Sequence, residues 1–354
     1  MTSPTTLSPI SRRRLLQQGT AGVGLLGLAG LLAPSNTDAD TISRAPHFAP
    51  RAKRLIHLLM NGGPSHIDTF DPKPESTEIC GEFKPIATRI PGVQFTEHVP
   101  MLADRADRLT IVRSMSHKDH RHLSGTHNTL TGAEQPFRGD ANEDKELSRL
   151  DWPCYGGGLE HSRPSTNGLP SQVTVPIPLI EGSLTWPGQH SGFLGPKYDP
   201  FQVNSDPNSK DFKVSGIQLL DGMTTSRLTN RKELLTDLNQ QERALDQLAQ
   251  QTQFTSQQEV AYSMLASGKL TEAFDVNKEP AKLRDKYGRC RMGQSLLLAR
   301  RLVERGVPYV QANMGHVQSW DTHSSNFPKL KDRLLPGIDV GVSALIDDLE
   351  ERNM

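Results

Sequence analysis

The chain has 354 residues, enough for one large α/β domain or two smaller ones. Its 40 Lys and Arg residues balance its 40 Asp and Glu residues, and this neutral charge, without a long basic run, argues against nucleic acid as a partner. The three cysteines, Cys80, Cys154 and Cys290, are far apart and suggest ordinary semi-buried thiols rather than a disulfide framework.

Residues 1–40 have the composition of an export signal. The sequence SRRRLL at residues 11–16 is typical of a twin-arginine signal peptide. The apolar stretch that follows, residues 19–33, is shorter than the roughly 20 residues that span a bilayer. Cleavage after Ala33 and cleavage after Ala39 both fit, as does an uncleaved anchor. We therefore expect a periplasmic or extracellular protein, with membrane contact only through an uncleaved signal.

A polar linker at residues 41–53 leads into segments that alternate between strand and helix character. The predicted strands cover residues 54–60, 108–116, 171–179 and 307–315. Prolines in the third strand place it at an edge of the sheet.

Three regions show helical periodicity. The predicted helices cover an amphipathic pair at 224–268, a helix at 291–305 that ends at Gly306, and a last helix at 333–351. Together with the strands, they predict an α/β domain over residues 54–354, with a mostly parallel sheet and helices on both faces. A helical insertion is expected at about residues 205–290.

Histidine and carboxylate residues follow three of the predicted strands. They are His66 and Asp68 after the first strand, His117, Asp119, His120, His122 and His127 after the second, and His316, Asp321 and His323 after the fourth. Residues two apart in an extended chain project to the same side and can share one ligand. Imidazole with carboxylate suits Zn, Mn or Fe, whereas a carboxylate-rich site suits Mg or Ca. Each of these residues, taken alone, is equally well explained as a turn residue that only caps a helix or forms a hydrogen bond.

The segment 188–201, GQHSGFLGPKYDPF, is rich in glycine and aromatic residues. One interpretation is that this segment forms a functional lid over a ligand-binding cleft. We consider an ordinary structured surface loop the better interpretation.

Several motifs resemble a known family when taken in their order along the chain. They are MNGGPSHIDTFDPKP, RSMSH, LTG, GQHSGFLGPKYDPF, KLRDKYG, GQSLLLARRLVERGVPYVQ and WDTHSSNFP. From about residue 54 to the end, the chain resembles the exported family of unknown function numbered 1501, whose members are often labelled sulfatase-like. That family is grouped with the alkaline-phosphatase superfamily. The resemblance implies a parallel α/β sheet and metal-assisted attack on a phosphate or sulfate ester.

The resemblance also implies a nucleophile position. Counting back from Gly132, where the sulfatase-like signature ends in Leu-Thr-Gly, places His122 where the superfamily has Ser, Thr or a modified Cys. His122 is therefore expected either to bind metal or to act as a nitrogen nucleophile. Ser124 or Thr126 would replace it if the loop is shifted, and we name His122 and Ser124 as the catalytic candidates.

The metal ligands implied by the resemblance depart from the superfamily pattern in one place. Its first metal-binding Asp aligns near Asn61, and Asn is a poor substitute for a carboxylate. His66 or Asp68 would then have to serve. The predicted ligands of a divalent cation, taken as Zn, Mn, Ca or Mg, are His66, Asp68, Asp321 and His323.

The family also continues with another strand and a late Asp-His block, which supplies metal ligands in the superfamily. This sequence ends at Met354, at the end of a predicted helix, and we expect a truncated member. The expected function is an exported metal-dependent hydrolase of phosphate or sulfate esters, acting on a small-molecule or glycan ester. The alternatives are a non-catalytic glycan- or envelope-binding protein on a degenerate hydrolase fold, and an inactive fragment.

Overall fold

The computed structural model describes residues 48–136, 144–165, 169–214, 226–227, 230, 233–234, 269–317 and 319–354. The predicted signal at 1–40 lies outside the described residues, as does almost all of the predicted helix pair at 224–268. The predicted linker is described from residue 48 onward, where it is exposed and has no helix or strand.

The described strands form one four-stranded sheet and two small hairpins. They are β1 (Leu55–Leu59), β2 (Pro85–Ala87), β3 (Gln94–Thr96), β4 (Gln172–Val175), β5 (Ile180–Glu181), β6 (Leu184–Thr185), β7 (Phe201–Gln202) and β8 (Tyr309–Asn313). The four-stranded sheet has the order β1–β8–β4–β7, and every pairing in it is parallel. The predicted parallel α/β sheet is therefore confirmed.

The described α-helices differ widely in length. They are α1 (Pro100–Ala103), α2 (His122–Thr131), α3 (Tyr155–Ser162), α4 (Lys269–Phe274), α5 (Ala281–Lys286), α6 (Arg291–Arg305), α7 (Asn326–Lys329) and α8 (Leu335–Glu351). Helix α6 has the predicted bounds and ends at Gly306, which adopts a left-handed conformation with φ 107°. None of the described helices combines the length and apolar character needed to cross a membrane.

Two strand predictions are wrong. Residues 108–116 form no strand, and Val112 and Met115 are 58% and 81% exposed, so their apolar side chains have no sheet face to pack on. The third predicted strand is not at an edge, because β4 is fully buried between β8 and β7. Its first proline, Pro176, lies just beyond the strand and removes no hydrogen bond from its ladder.

One face of the sheet is apolar and packs on α6, which in turn packs on α8. Val173, Val310 and Ala312 are all fully buried in the main core, together with Leu296 and Leu297 of α6. Because side chains alternate between the two faces of a strand, the residues next to them along each strand lie on the opposite face of the sheet.

The opposite face is polar and is covered by α2 and α3. Gln172, Thr174, Gln311 and Asn313 are buried there and bond to one another along the strands, Gln172 to Thr174 at 3.3 Å and Gln311 to Asn313 at 2.9 Å. Helices thus lie on both faces. The polar face leads toward the carboxyl ends of β1 and β8, where ligands bind in open parallel sheets.

Asp339 of α8 ties that helix to the start of α1. Its carboxylate accepts hydrogen bonds from the backbone nitrogens of Met101 and Leu102 at 3.1 and 2.8 Å. Changing Asp339 to alanine leaves two helix N-terminal donors without an acceptor, and we expect a loss of about 1–3 kcal/mol in the free energy of unfolding. Urea unfolding checks this, with the exposed Asp332 changed to alanine as the control. Equal stability of the two variants would contradict the capping role.

Candidate metal centre

The loop that follows β8 carries two of the site residues and is anchored by Trp320. The Trp320 ring nitrogen donates to the carbonyl of Met314 at 2.8 Å, and its backbone nitrogen donates to the carbonyl of Asn61 at 3.1 Å. The indole is buried, so the next residue, Asp321, is held at the carboxyl ends of β8 and β1.

Gly62, in the turn after β1, allows this loop to approach closely. Its φ is +106°, and a Cβ placed on it would lie 2.2 Å from the backbone nitrogen of Asp321. A side chain at this position would therefore force the turn after β1 away from the loop after β8.

The third site residue, His122, is the first residue of α2. Arg121 precedes the helix in an extended conformation, and the backbone nitrogen of Leu123 donates to the Asp144 carboxylate at 3.0 Å. Leu123 and Leu130 bury the inner side of the helix against Leu59 of β1. This packing holds His122 at the same end of the sheet as Asp321.

The three elements bring His122, Asp321 and His323 together. The Nε2 atoms of His122 and His323 lie 2.6 and 2.8 Å from the same oxygen of Asp321, and the two imidazole rings stack with centroids 5.9 Å apart. One ligand atom from each residue lies within 4.8 Å of the other two, so that a single ion can be reached by all three. Two imidazoles and one carboxylate are a ligand set that zinc and other transition metals use in catalytic sites.

The group is open to solvent. The side chains of His122 and His323 are 41% and 69% exposed, and that of Asp321 is 23% exposed. Burial alone would raise the pKa of the Asp321 carboxyl, but the hydrogen bonds and charge of His323 and His122 outweigh it and lower that pKa. Asp321 is therefore an anion at neutral pH, and a molecule arriving from solvent can reach the group.

The loop holding His323 has an unusual backbone conformation. His323 and Ser325 have φ values of +45° and +51°, a left-handed region that non-glycine residues rarely adopt and that clusters at functional sites. Hydrogen bonds on either side of His323 stabilise this loop conformation. The Thr322 hydroxyl donates to the Asn326 side chain at 2.8 Å, and Lys329 donates to the carbonyl of Thr322, also at 2.8 Å.

The other two predicted ligands lie outside this group. His66 is exposed and is not part of it. Asp68 is buried and accepts a 3.3 Å hydrogen bond from the Asn326 amide, through which it supports the loop carrying Asp321 and His323. Asp68 therefore holds the loop that carries Asp321 and His323, and its carboxylate oxygens are not part of the three-residue group.

Ser124, the second catalytic candidate, points away from solvent. It is 1% exposed, and its hydroxyl donates to Gln135 at 3.0 Å. Asp119 is also engaged, because hydrogen bonds from Arg121 hold the pKa of its carboxyl below the usual range. Of the residues predicted after the second strand, His122 is the one placed in the group.

The first part of the segment 188–201, residues 188–192, is buried. Gln189, His190 and Ser191 are buried, and the Gln189 amide bonds to both the nitrogen and the carbonyl of Leu179. Gly188 lies against the backbone of His127 in α2. This arrangement fits a structured loop that supports α2.

Comparisons with known proteins place the chain in a family without assigning it an activity. No curated protein and no solved structure matches the chain. Residues 52–354, most of the chain and all of the candidate metal centre, match the family described as "Protein of unknown function (DUF1501)". The chain belongs to this family.

Proposed function

We propose that the protein is a metal-dependent hydrolase of phosphate or sulfate esters. The observation that carries the proposal is the open group formed by His122, Asp321 and His323 at the carboxyl end of a parallel sheet. Catalytic zinc sites commonly have three protein ligands and one position left for water or substrate. The parallel sheet and the resemblance to the alkaline-phosphatase superfamily support the same assignment.

The donor set narrows the choice of metal. Mg²⁺ and Ca²⁺ prefer oxygen ligands, whereas two imidazole nitrogens favour a transition metal. Of the expected cations, Zn or Mn therefore fits better than Mg or Ca. When bound, such a cation acts as a Lewis acid toward an ester oxygen and makes water a nucleophile at neutral pH.

The roles of the chain's own residues follow from their contacts. His122 and His323 approach the same carboxylate oxygen of Asp321, so we assign His122 as a metal ligand rather than a nucleophile. The bond from Asn326 to Asp68 and the bond from Thr322 to Asn326 orient the loop that carries Asp321 and His323. Loss of such an outer partner commonly costs about 10- to 100-fold in metal affinity.

The substrate is a small-molecule or glycan ester that reaches the group from solvent. The twin-arginine pattern at residues 11–16 supports export to the periplasm or beyond, since that route suits proteins that acquire a metal before they cross the membrane.

The proposal predicts turnover of an aryl ester that depends on metal. The full chain should hydrolyse 4-nitrophenyl phosphate or 4-nitrophenyl sulfate, lose the activity on chelation and regain it with zinc or manganese. His323→Ala should lose at least about 100-fold in kcat/KM. His316→Ala is the matched control, because His316 lies on the same loop but contacts Arg291 instead of the group. Turnover that survives chelation would contradict the proposal.

A non-catalytic binding protein is the second candidate, and one observation favours it. Ser124, the hydroxyl that could replace the nucleophile, is buried against Gln135. This candidate predicts that the chain takes up metal and binds an ester or glycan without turning it over.

A further inference from the structure

Asn61 is the second residue after β1 and lies between the elements that carry the metal-ligand candidates. Its backbone carbonyl accepts the hydrogen bond from Trp320, the residue before Asp321. Its side-chain Oδ1 accepts a 3.1 Å hydrogen bond from the Thr126 hydroxyl. Thr126 follows His122 by four residues in α2, so both residues lie on the same face of that helix. Asn61 thus contacts both halves of the candidate centre.

The Asn61 side chain has an unsatisfied donor. It is 5% exposed, and its amide nitrogen has no hydrogen-bond partner among the described residues. Buried polar groups are nearly always paired, so an unpaired one in a native fold calls for an explanation. The Thr126 hydroxyl uses one lone pair of Oδ1, so the unused capacity of the Asn61 side chain is its two N–H donors and the second lone pair of Oδ1.

We propose that the Asn61 amide donates hydrogen bonds to an oxygen of a bound oxyanion, the phosphate or sulfate group of the substrate. This inference rests on the proposed function, because it adds an anion donor to the metal centre. In this role the N–H groups face the anion, so Asn61 complements His122, Asp321 and His323 instead of joining them as a metal ligand. Thr126 acts as a positioning residue that keeps the N–H groups turned away from α2. A donor fixed in this way needs no reorganisation when charge develops on the anion.

The test measures anion binding and metal binding separately on the full chain. Zinc affinity is measured by isothermal titration, and the affinity for inorganic phosphate and inorganic sulfate is measured on the zinc-loaded and the metal-free chain. Asn61→Ala should bind zinc within about threefold of wild type but bind the oxyanion about 10- to 100-fold more weakly. Asn61→Asp keeps the shape and the acceptor for Thr126, and its carboxylate should weaken oxyanion binding at least as much on the metal-free chain, where the new carboxylate has no zinc to bind. Should Asn61→Ala fail to fold, Asn61→Asp supplies the measurement.

Thr126→Val tests the positioning role. Valine has nearly the same shape but cannot donate, so the Asn61 amide is no longer oriented. We expect oxyanion affinity to fall about 2- to 10-fold with zinc affinity unchanged. Unchanged oxyanion affinity in Thr126→Val would remove the positioning role.

The outcomes separate this inference from the proposed function. Unchanged phosphate and sulfate affinity in both Asn61 variants overturns the inference while leaving the metal centre in place. Loss of zinc affinity by more than about tenfold in Asn61→Ala also overturns it, because Oδ1 would then be a metal ligand. If wild type takes up no zinc, the proposed function fails, and the metal-free titration still decides whether Asn61 binds the anion.

Discussion

Changing Asp321 to alanine is expected to weaken zinc binding by at least about 100-fold. Asp321 supplies the only carboxylate of the three-residue group in the described structure, and both imidazoles lie against its Oδ2 atom. Loss of an outer partner of a metal ligand commonly costs about 10- to 100-fold in affinity, so loss of the ligand itself should cost at least the upper value. Isothermal titration of the metal-free full chain with zinc measures the effect.

His316→Ala is again the control for that measurement. It removes an imidazole from the same loop and should leave zinc affinity within about threefold of wild type, because His316 is held by Arg291 outside the group. Zinc binding by Asp321→Ala as tight as that of wild type would show that the metal is held elsewhere.

Changing Asp348 to alanine is expected to cost about 3–5 kcal/mol in the free energy of unfolding. Asp348 of α8 lies 2.9 Å from Arg300 Nε, and the Arg300 side chain is fully buried in α6. Glu279 is 2.8 Å from Nη2 of the same guanidinium. The Arg300 Nε and Nη2 groups form ion pairs with these carboxylates but do not point at them in hydrogen-bond geometry. The Tyr287 hydroxyl donates to Asp348 at 2.9 Å, and burial raises the pKa of that phenol and keeps it a donor. The substitution leaves a buried charge and a buried hydroxyl poorly compensated.

Glu351→Ala provides the matched comparison on the same helix. Glu351 forms an exposed pair with Lys286, and exposed pairs contribute about 0–1 kcal/mol. Urea unfolding of both variants should therefore give clearly different midpoints. A loss below about 1 kcal/mol in Asp348→Ala would contradict the account of the packing between α6 and α8.

The parts of the fold with strong local signals could be predicted from the sequence. Helix α6 has an amphipathic pattern and a glycine after its last residue, and its bounds match the prediction. Strands β1 and β8 are short apolar runs that end in glycine turns, and both are confirmed.

Segments whose state depends on distant partners were harder to predict. Residues 108–116 have the composition of a strand, yet no pairing forms there in the described structure. The prolines after residue 175 suggested an edge strand, but they fall beyond the ladder of β4. Composition reports local preference, whereas pairing is decided by the rest of the sheet.

The candidate site was partly predictable for the same reason. The spacing of Asp321 and His323 put both on one loop, and the structure brings them together with His122. The same two-residue spacing of His66 and Asp68 does not produce a shared ligand position, because Asp68 turns inward to Asn326. The bond between Thr126 and Asn61 joins residues 65 positions apart, and no local pattern could have indicated it.

X-ray absorption on the zinc-loaded full chain identifies the atoms around the metal and therefore tests whether His122, Asp321 and His323 bind it. We expect one zinc per chain, with imidazole scattering from two histidines, light-atom scattering from a carboxylate, and no sulfur contribution. The imidazole signal should fall by half in His122→Ala and in His323→Ala. A spectrum with sulfur ligands, or one unchanged in both variants, would contradict the assignment of His122, Asp321 and His323 as the metal centre.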